Sequence, residues 1–215
     1  MTREQQQRNK IKICGLTDPK EAQYLNENHV DFAGMVLFFP KSRRCISIAR
    51  AKEIIKALAD SVKPVAVVVS PSLEQVREIT EAGFAGIQIH GEIPERIDTV
   101  SGLPVWKAFN VSDLDQYEKY DRAPKITGFV CDAPEAGSGK TFDWSLVEKL
   151  PRDGKLLLLA GGLNPENVAD AVRAVNPDGV DVSSGVENES GCGKDPDKIR
   201  AFVQEVRNAK SKEKQ

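Results

Sequence analysis

Apolar residues follow two rhythms along this chain, one after the other. Short aliphatic or β-branched runs begin at IKIC (Ile11), DFAGMVLF (Asp31), PVAVVV (Pro64), GIQIH (Gly86), PVWKAF (Pro104), KITGFVCD (Lys125), KLLLLA (Lys155) and DGVDVS (Asp178). Each is brief, bounded by polar or turn-forming residues, and rich in side chains that favour extended backbone, so each predicts a β-strand. Between them, apolar residues recur at i, i+3, i+4 and i+7. Ala51, Ile54, Ile55 and Leu58 form one such stripe, Val168, Ala171, Val172 and Val175 another, and Ile199, Phe202, Val203 and Val206 a third. That spacing puts one apolar face along a helix. Asp18-Pro19 and Asn164-Pro165 each pair a capping side chain with a proline suited to the first helical position, so helices are expected to begin there.

Strand and helix alternate roughly every 25 residues, the rhythm of βα units around a parallel sheet. Eight units can close into a barrel or stay open as a doubly wound sheet, and residue parity bears on the choice. Ile11 and Ile13 share one strand face while Lys12 and Cys14 take the other; Ile87 and Ile89 oppose Gln88 and His90, and Val180 and Val182 oppose Asp181 and Ser183. One face suited to a helix layer, and one turning polar towards the carboxyl end, favours a single eightfold parallel β/α (TIM) barrel with its site at that rim. The expected domain covers residues 11–209. Polar tails at 1–10 and 210–215 have nothing apolar to anchor them, and no break in composition suggests another boundary.

Composition narrows the function classes. Thirty basic residues against 32 acidic ones leave a formal charge of −2, without the positive field that non-specific nucleic-acid binding needs. MTREQQQRNK lacks the apolar stretch of a signal peptide, and no apolar run is long enough to span a bilayer, so neither nucleic acid nor membrane is an expected partner and a cytoplasmic location is expected. Cys14, Cys45, Cys131 and Cys192 lack the paired spacing of a zinc site or a disulfide framework and should be free thiols. A homodimer is compatible with this architecture, because barrels associate through outer helices without leaving a sequence signature.

Cys14, His90, Asp132 and Asp181 all end their strands on the inner face. Taken singly, a buried cysteine is usually a small hydrophobe and a strand-end aspartate often a helix cap. Gathered at one rim, they form a candidate catalytic group. Cys131 falls on the opposite strand face, where it should pack beside Phe129, and Cys45 and Cys192 lie in loops; these three are read as structural. Gly161-Gly162 after the seventh strand and Ser183-Ser184-Gly185 after the eighth offer backbone N–H and hydroxyl donors where barrels frequently bind phosphate. One Gly-Gly step alone is an ordinary turn. Arg43 and Arg44, after the second strand, are suited to a substrate carboxylate, although many such pairs are only solvated surface. AGSGKTFDW, residues 136–144, has the composition of a loop able to close over a ligand.

KICGLT, FFPKSRR, QIHGE, VCDAPEAGSGKTFDW, AGGLNPENV and VDVSSGVE occur in this order from Lys12 to Glu187, each at an expected strand end. Together they resemble the phosphoribosylanthranilate isomerase family of tryptophan biosynthesis, and the combination is specific in a way no single segment is. The resemblance implies an Amadori rearrangement of N-(5′-phosphoribosyl)anthranilate, a small phosphosugar, to 1-(o-carboxyphenylamino)-1-deoxyribulose 5-phosphate without metal or organic cofactor. It implies Asp132 as the general acid that protonates the furanose oxygen and Cys14 as the general base that takes the proton from C2′. Arg44 would lie near the anthranilate carboxylate, Gly162, Ser183, Ser184 and Gly185 at the phosphate, and His90 and Asp181 among polar groups of the rim. An ordinary thiol, with a pKa of about 8.5, is mostly protonated at pH 7, and an ordinary carboxyl, at about 3.9, mostly ionised. Both therefore need shifting by their surroundings. Ala136-Gly137 stands where the family more often has paired glycines. Two rivals share parts of this pattern: another phosphoribosyl barrel enzyme, of the histidine-pathway aminoaldose isomerase or indoleglycerol-phosphate synthase type, and a non-catalytic phosphate-ligand barrel. The first would carry an aspartate or lysine base in place of Cys14; the second would have no need of Cys14 and Asp132 together.

Overall fold

The computed structural model describes residues 8–110, 113, 117–132, 144–148, 150, 154–191 and 193–211. The closing loop expected over 136–144, apart from Trp144, and the structural role expected for Cys192 lie outside the described residues. Eight parallel strands form the barrel: β1 (Lys10–Cys14), β2 (Phe32–Leu37), β3 (Lys63–Val69), β4 (Gly86–His90), β5 (Val105–Asn110), β6 (Ile126–Asp132), β7 (Leu156–Leu159) and β8 (Gly179–Val182). All start within one residue of the sequence expectation. Neighbours in the chain are neighbours in the sheet, and β1 pairs with both β2 and β8, which closes it. Lys12 lies beside Phe32 on one side and Asp181 on the other. A two-residue strand, Cys45–Ile46, adds to β2 outside the barrel.

Parity divides the apolar side chains into two cores. Ile11, Ile13, Ile87, Ile89, Val180 and Val182 point outward into the larger one, beneath the helices. The smaller one fills the barrel with Val65, Trp106, Ala108, Val130 and Leu158, and Phe32 meets Trp106 edge-on at 4.9 Å between ring centroids. On the same inner faces Lys12, Gln88 and Asp181 are buried, and Cys14, His90 and Asp132 are partly buried. Cys131, of opposite parity to Asp132, is fully buried in the outer core.

The outer layer contains α1 (Lys20–Glu27), α2 (Ile48–Ala57), α3 (Leu73–Glu81), α4 (Tyr117–Asp121), α5 (Ser145–Glu148), α6 (Val168–Val175) and α7 (Pro196–Ser211). Val168, Ala171, Val172 and Val175 of α6 are buried, as are Ile199, Phe202, Val203 and Val206 of α7. Asp18 accepts from Lys20 N at 2.9 Å and caps α1. Asn164 accepts from Glu166 N at 2.9 Å and Asn167 N at 3.1 Å, but a turn intervenes and α6 itself begins at Val168, later than expected. The unit between β4 and β5 departs from the pattern: a 3₁₀ turn, Ile97–Thr99, replaces an α-helix. Pro94, Gly102 and Pro104 leave too little uninterrupted chain there for helical propagation.

Residues 8–10, assigned to a tail by hydropathy, are held in place. Arg8 and Lys10 pair with Asp31 at 3.0 and 3.1 Å, and Asn9 donates to Pro177 O at 2.6 Å. No described helix is long and apolar enough to cross a membrane.

Candidate active site

A cavity of about 300 Å³ opens at the carboxyl ends of the strands. Cys14, His90, Asp132 and Asp181 line it from β1, β4, β6 and β8, and Arg44 lines it from the loop after β2. Gly161, Gly162, Ser183 and Ser184 contribute the loops after β7 and β8. Val36, Phe39, Val67 and Val69 form an apolar wall. Among the described residues the large exposed hydrophobics are Val69 and Leu146, and Val69, 41% exposed, is in this cavity.

Gly185 is not part of the lining. A Cβ added to it would lie 2.0 Å from Leu163 O and 2.9 Å from Asn164 Cβ, so the missing side chain lets the loop after β8 pack directly on the loop after β7. Gly161 and Gly162 have φ of +88° and +64°, a conformation that residues with side chains rarely adopt. Asn167 Nδ2 donates to Gly162 O at 3.0 Å and ties that turn to the start of α6. Gly185→Ala is expected to cost roughly 1–3 kcal/mol through overpacking, a melting-temperature fall of about 2–12 °C for a chain of this length. Thermal melts of the two proteins check this; an unchanged midpoint would mean that the loops part without cost.

Electrostatics divide the cavity into two regions. At the floor, Lys12 Nζ donates to Asp181 Oδ2 at 2.8 Å. Burial pulls the Lys12 ammonium down, but Asp181 and Cys14 lift it further, and it ends above the usual lysine value. Burial raises Asp181 above the usual carboxylate value, against the pull of Lys12. Burial also pushes the Cys14 thiol up; Lys12 is the chief opposing influence, Asp181 reinforces burial and Lys194 opposes it. His90 is lowered to about 4 by burial and by the nearby Lys107 and Lys12 ammoniums. The Gln88 amide nitrogen, 3.1 Å from His90 Nε2, can only donate, so the ring accepts there and is neutral at pH 7.

At the rim, Arg44 Nε donates to Glu187 Oε1 and Arg43 Nη2 to Glu187 Oε2, each at 2.5 Å. Burial would raise Glu187, but hydrogen bonding to Arg44 and the charges of Lys194 and both arginines bring it below the usual carboxylate value. Lys194 Nζ donates to Ser183 O at 3.1 Å and lies 3.5 Å from Glu187 Oε1. Its backbone N–H donates to Glu21 Oε1 at 2.6 Å, which pins this loop to the start of α1. Arg44 Nη2, Gln88 Oε1 and Asp181 Oδ1 are buried and have no hydrogen-bond partner among the described residues. Leaving such an atom unsatisfied costs about 1–3 kcal/mol, so three around one cavity point to a polar ligand.

Lys12, Glu187 and Lys194 are the functional neighbours that the sequence did not single out. Lys12 had a signal, a charge on the inner face between two isoleucines; Glu187 lay inside VDVSSGVE; Lys194 lies in a loop with no periodicity to mark it.

A family model described as N-(5'phosphoribosyl)anthranilate (PRA) isomerase matches residues 11–205. A relative from Aquifex aeolicus (strain VF5), named N-(5'-phosphoribosyl)anthranilate isomerase, is 41% identical over 204 residues, which is 92% of this chain and 98% of the relative. The crystal structure of phosphoribosyl anthranilate isomerase from Thermotoga maritima has a TM-score of 0.82 at 36% identity, covering 93% of this chain and 99% of that one. A structure of such an isomerase in complex with reduced 1-(o-carboxyphenylamino)-1-deoxyribulose 5-phosphate has a TM-score of 0.79 at 34% identity, with 93% and 99% covered.

Proposed function

Since the chain belongs to the N-(5′-phosphoribosyl)anthranilate isomerase family, we propose that the cavity at the strand ends is where its aldose–ketose isomerisation takes place. The protein is an isomerase of tryptophan biosynthesis that converts N-(5′-phosphoribosyl)anthranilate to 1-(o-carboxyphenylamino)-1-deoxyribulose 5-phosphate. Asp132 acts as general acid: it gives its proton to the furanose oxygen, the C1′–O bond breaks, and the anilino nitrogen lone pair closes a Schiff base. Cys14 acts as general base and removes the C2′ proton, leaving an enolamine that tautomerises to the ketone. The two groups serve different atoms of one sugar, which is what positioned acid–base catalysis requires.

Binding follows from the other walls. Arg44, oriented through Nε by Glu187, presents its buried Nη2 to the anthranilate carboxylate, and the valine-rich wall accepts the aromatic ring. The turns at Gly161-Gly162 and Ser183-Ser184 receive the phosphate with backbone and hydroxyl donors, while Gly185 holds the two loops together. Asp181, through Oδ1, and neutral His90 take sugar hydroxyls. A cytoplasmic setting suits a mechanism that depends on a free thiol.

The observation that carries this reading is the convergence of Cys14, Asp132, Arg44 and both glycine-bearing loops on one cavity. Its test is to add the purified protein to freshly generated phosphoribosylanthranilate and follow loss of anthranilate-type fluorescence. A rate no faster than the uncatalysed background would reject it. Ser184→Asp is expected to raise KM by roughly tenfold or more, since a carboxylate beside the phosphate repels it with little dielectric screening in a cavity. Unchanged steady-state kinetics in that variant would place the phosphate elsewhere.

A further inference from the structure

Lys12 is fully buried, mid-strand in β1, between Ile11 and Ile13. A charge taken into a barrel interior is costly unless it is well paired, and an apolar side chain would fill the space at no such cost. Packing alone therefore does not explain a lysine here. Asp181 accounts for one of its three donors, at 2.8 Å. Towards the cavity, its neighbour is Cys14. Gly34 on β2 faces both: a Cβ added there would sit 3.0 Å from Cys14 Sγ and 3.0 Å from Lys12 Nζ. Sulfur and ammonium thus border the same small space that β2 leaves open.

We propose that Lys12 is the positioning residue of the proton-abstracting step: its ammonium, fixed by Asp181, faces the Cys14 sulfur and stabilises the thiolate when it forms, against the burial and the carboxylate that oppose it. This rests on the reading of Cys14 as the base. In that step the C2′ proton passes to sulfur. The C–H electron pair becomes the C1′=C2′ bond of the enolamine, the C=N pair returns to nitrogen, and Lys12 keeps its own proton throughout. Other charges also face the sulfur. Asp181 on β8 disfavours the thiolate, and Lys194, from the loop before α7, favours it. Arg44, His90 and Asp132 share the cavity, and β2, through Gly34 and Val36, brings no charge. Among the groups that shift the thiol, Lys12 is the largest influence favouring the thiolate.

The two partners of Lys12 predict opposite responses. Cys14 alkylation by iodoacetamide, followed by peptide mass spectrometry across pH, reads the thiolate directly. In Lys12→Met the midpoint is expected to rise by about one pH unit or more. In Asp181→Asn it is expected to fall, because the opposing carboxylate is gone and the ammonium is left to the sulfur. Unmoved midpoints, or shifts of both variants in the same direction, overturn the proposal. A purely structural lysine would lower the melting temperature without moving the Cys14 midpoint. If Lys12→Met does not fold, Asp181→Asn decides, and a midpoint equal to or above that of the unaltered protein overturns it. Turnover of Cys14→Ala separates the two readings. Retained turnover there overturns both, whereas lost turnover with unmoved midpoints overturns only the role of Lys12.

Discussion

Cys14→Ala and Asp132→Asn are each expected to give a folded protein whose kcat has fallen by at least roughly 10², the contribution that positioned acid–base groups make. Neither side chain belongs to an apolar core cluster, and both face the cavity, so their replacement removes proton transfer and not packing. Asparagine keeps the shape of Asp132 and has no proton to release. Cys131 supplies the contrast within the same chain. It is fully buried in the outer core, so Cys131→Ala should lower the melting temperature and leave kcat in the folded fraction unchanged. The thiol's raised pKa also fixes a sign: near neutrality most of the free protein carries Cys14 protonated, so kcat/KM should climb as pH rises past the ordinary thiol range. Melting temperature and kcat measured on the same variants decide the matter. Near-normal turnover in Cys14→Ala or Asp132→Asn would remove that residue from the mechanism.

Arg44→Lys is expected to lower kcat/KM by roughly ten- to a hundredfold, about 1.4–2.7 kcal/mol of transition-state binding, and mainly through KM. The guanidinium performs two tasks at once. Nε is bound to Glu187 at 2.5 Å, which fixes the plane of the fork, and Nη2 is buried beside the cavity with no partner among the described residues. A lysine keeps the charge but has no planar fork, so it can hold Glu187 or reach the substrate carboxylate, not both in fixed geometry. Glu187→Gln retains an acceptor for Nε and should cost less than Arg44→Lys. Steady-state kinetics on both variants test this order; full kcat/KM in Arg44→Lys would mean that the carboxylate is recognised elsewhere.

Much of the architecture is local in origin. Short aliphatic runs marked all eight strands, and parity assigned the faces of the first, fourth and eighth, since a strand's side chains must alternate whatever surrounds it. The same parity put Cys14, His90, Asp132 and Asp181 inside, and separated Cys131 from Asp132, before any tertiary contact was known. Helix stripes were equally legible in α2, α6 and α7. The pattern failed between β4 and β5, where prolines and glycine stop a helix although Ile97 still packs inward.

The chemistry of the cavity, by contrast, depends on residues far apart in sequence. Lys12 and Asp181 are 169 positions apart, and Arg44 and Glu187 are 143 apart, yet each pair is in direct contact. Nothing local specifies such pairs; barrel closure between β1 and β8 creates the first, and the packing of the loop after β2 against that after β8 creates the second. Gly185 makes the same point, because its close approach to Leu163, which joins the two loops, exists only in the tertiary structure. The sequence by itself determined which residues point into the barrel, because that depends only on position within a strand. Only the closed tertiary structure decided which of those charges touch, and hence how the thiol, the carboxylates and the arginine are tuned, because electrostatic energies depend on distance and burial, which no one-dimensional pattern encodes.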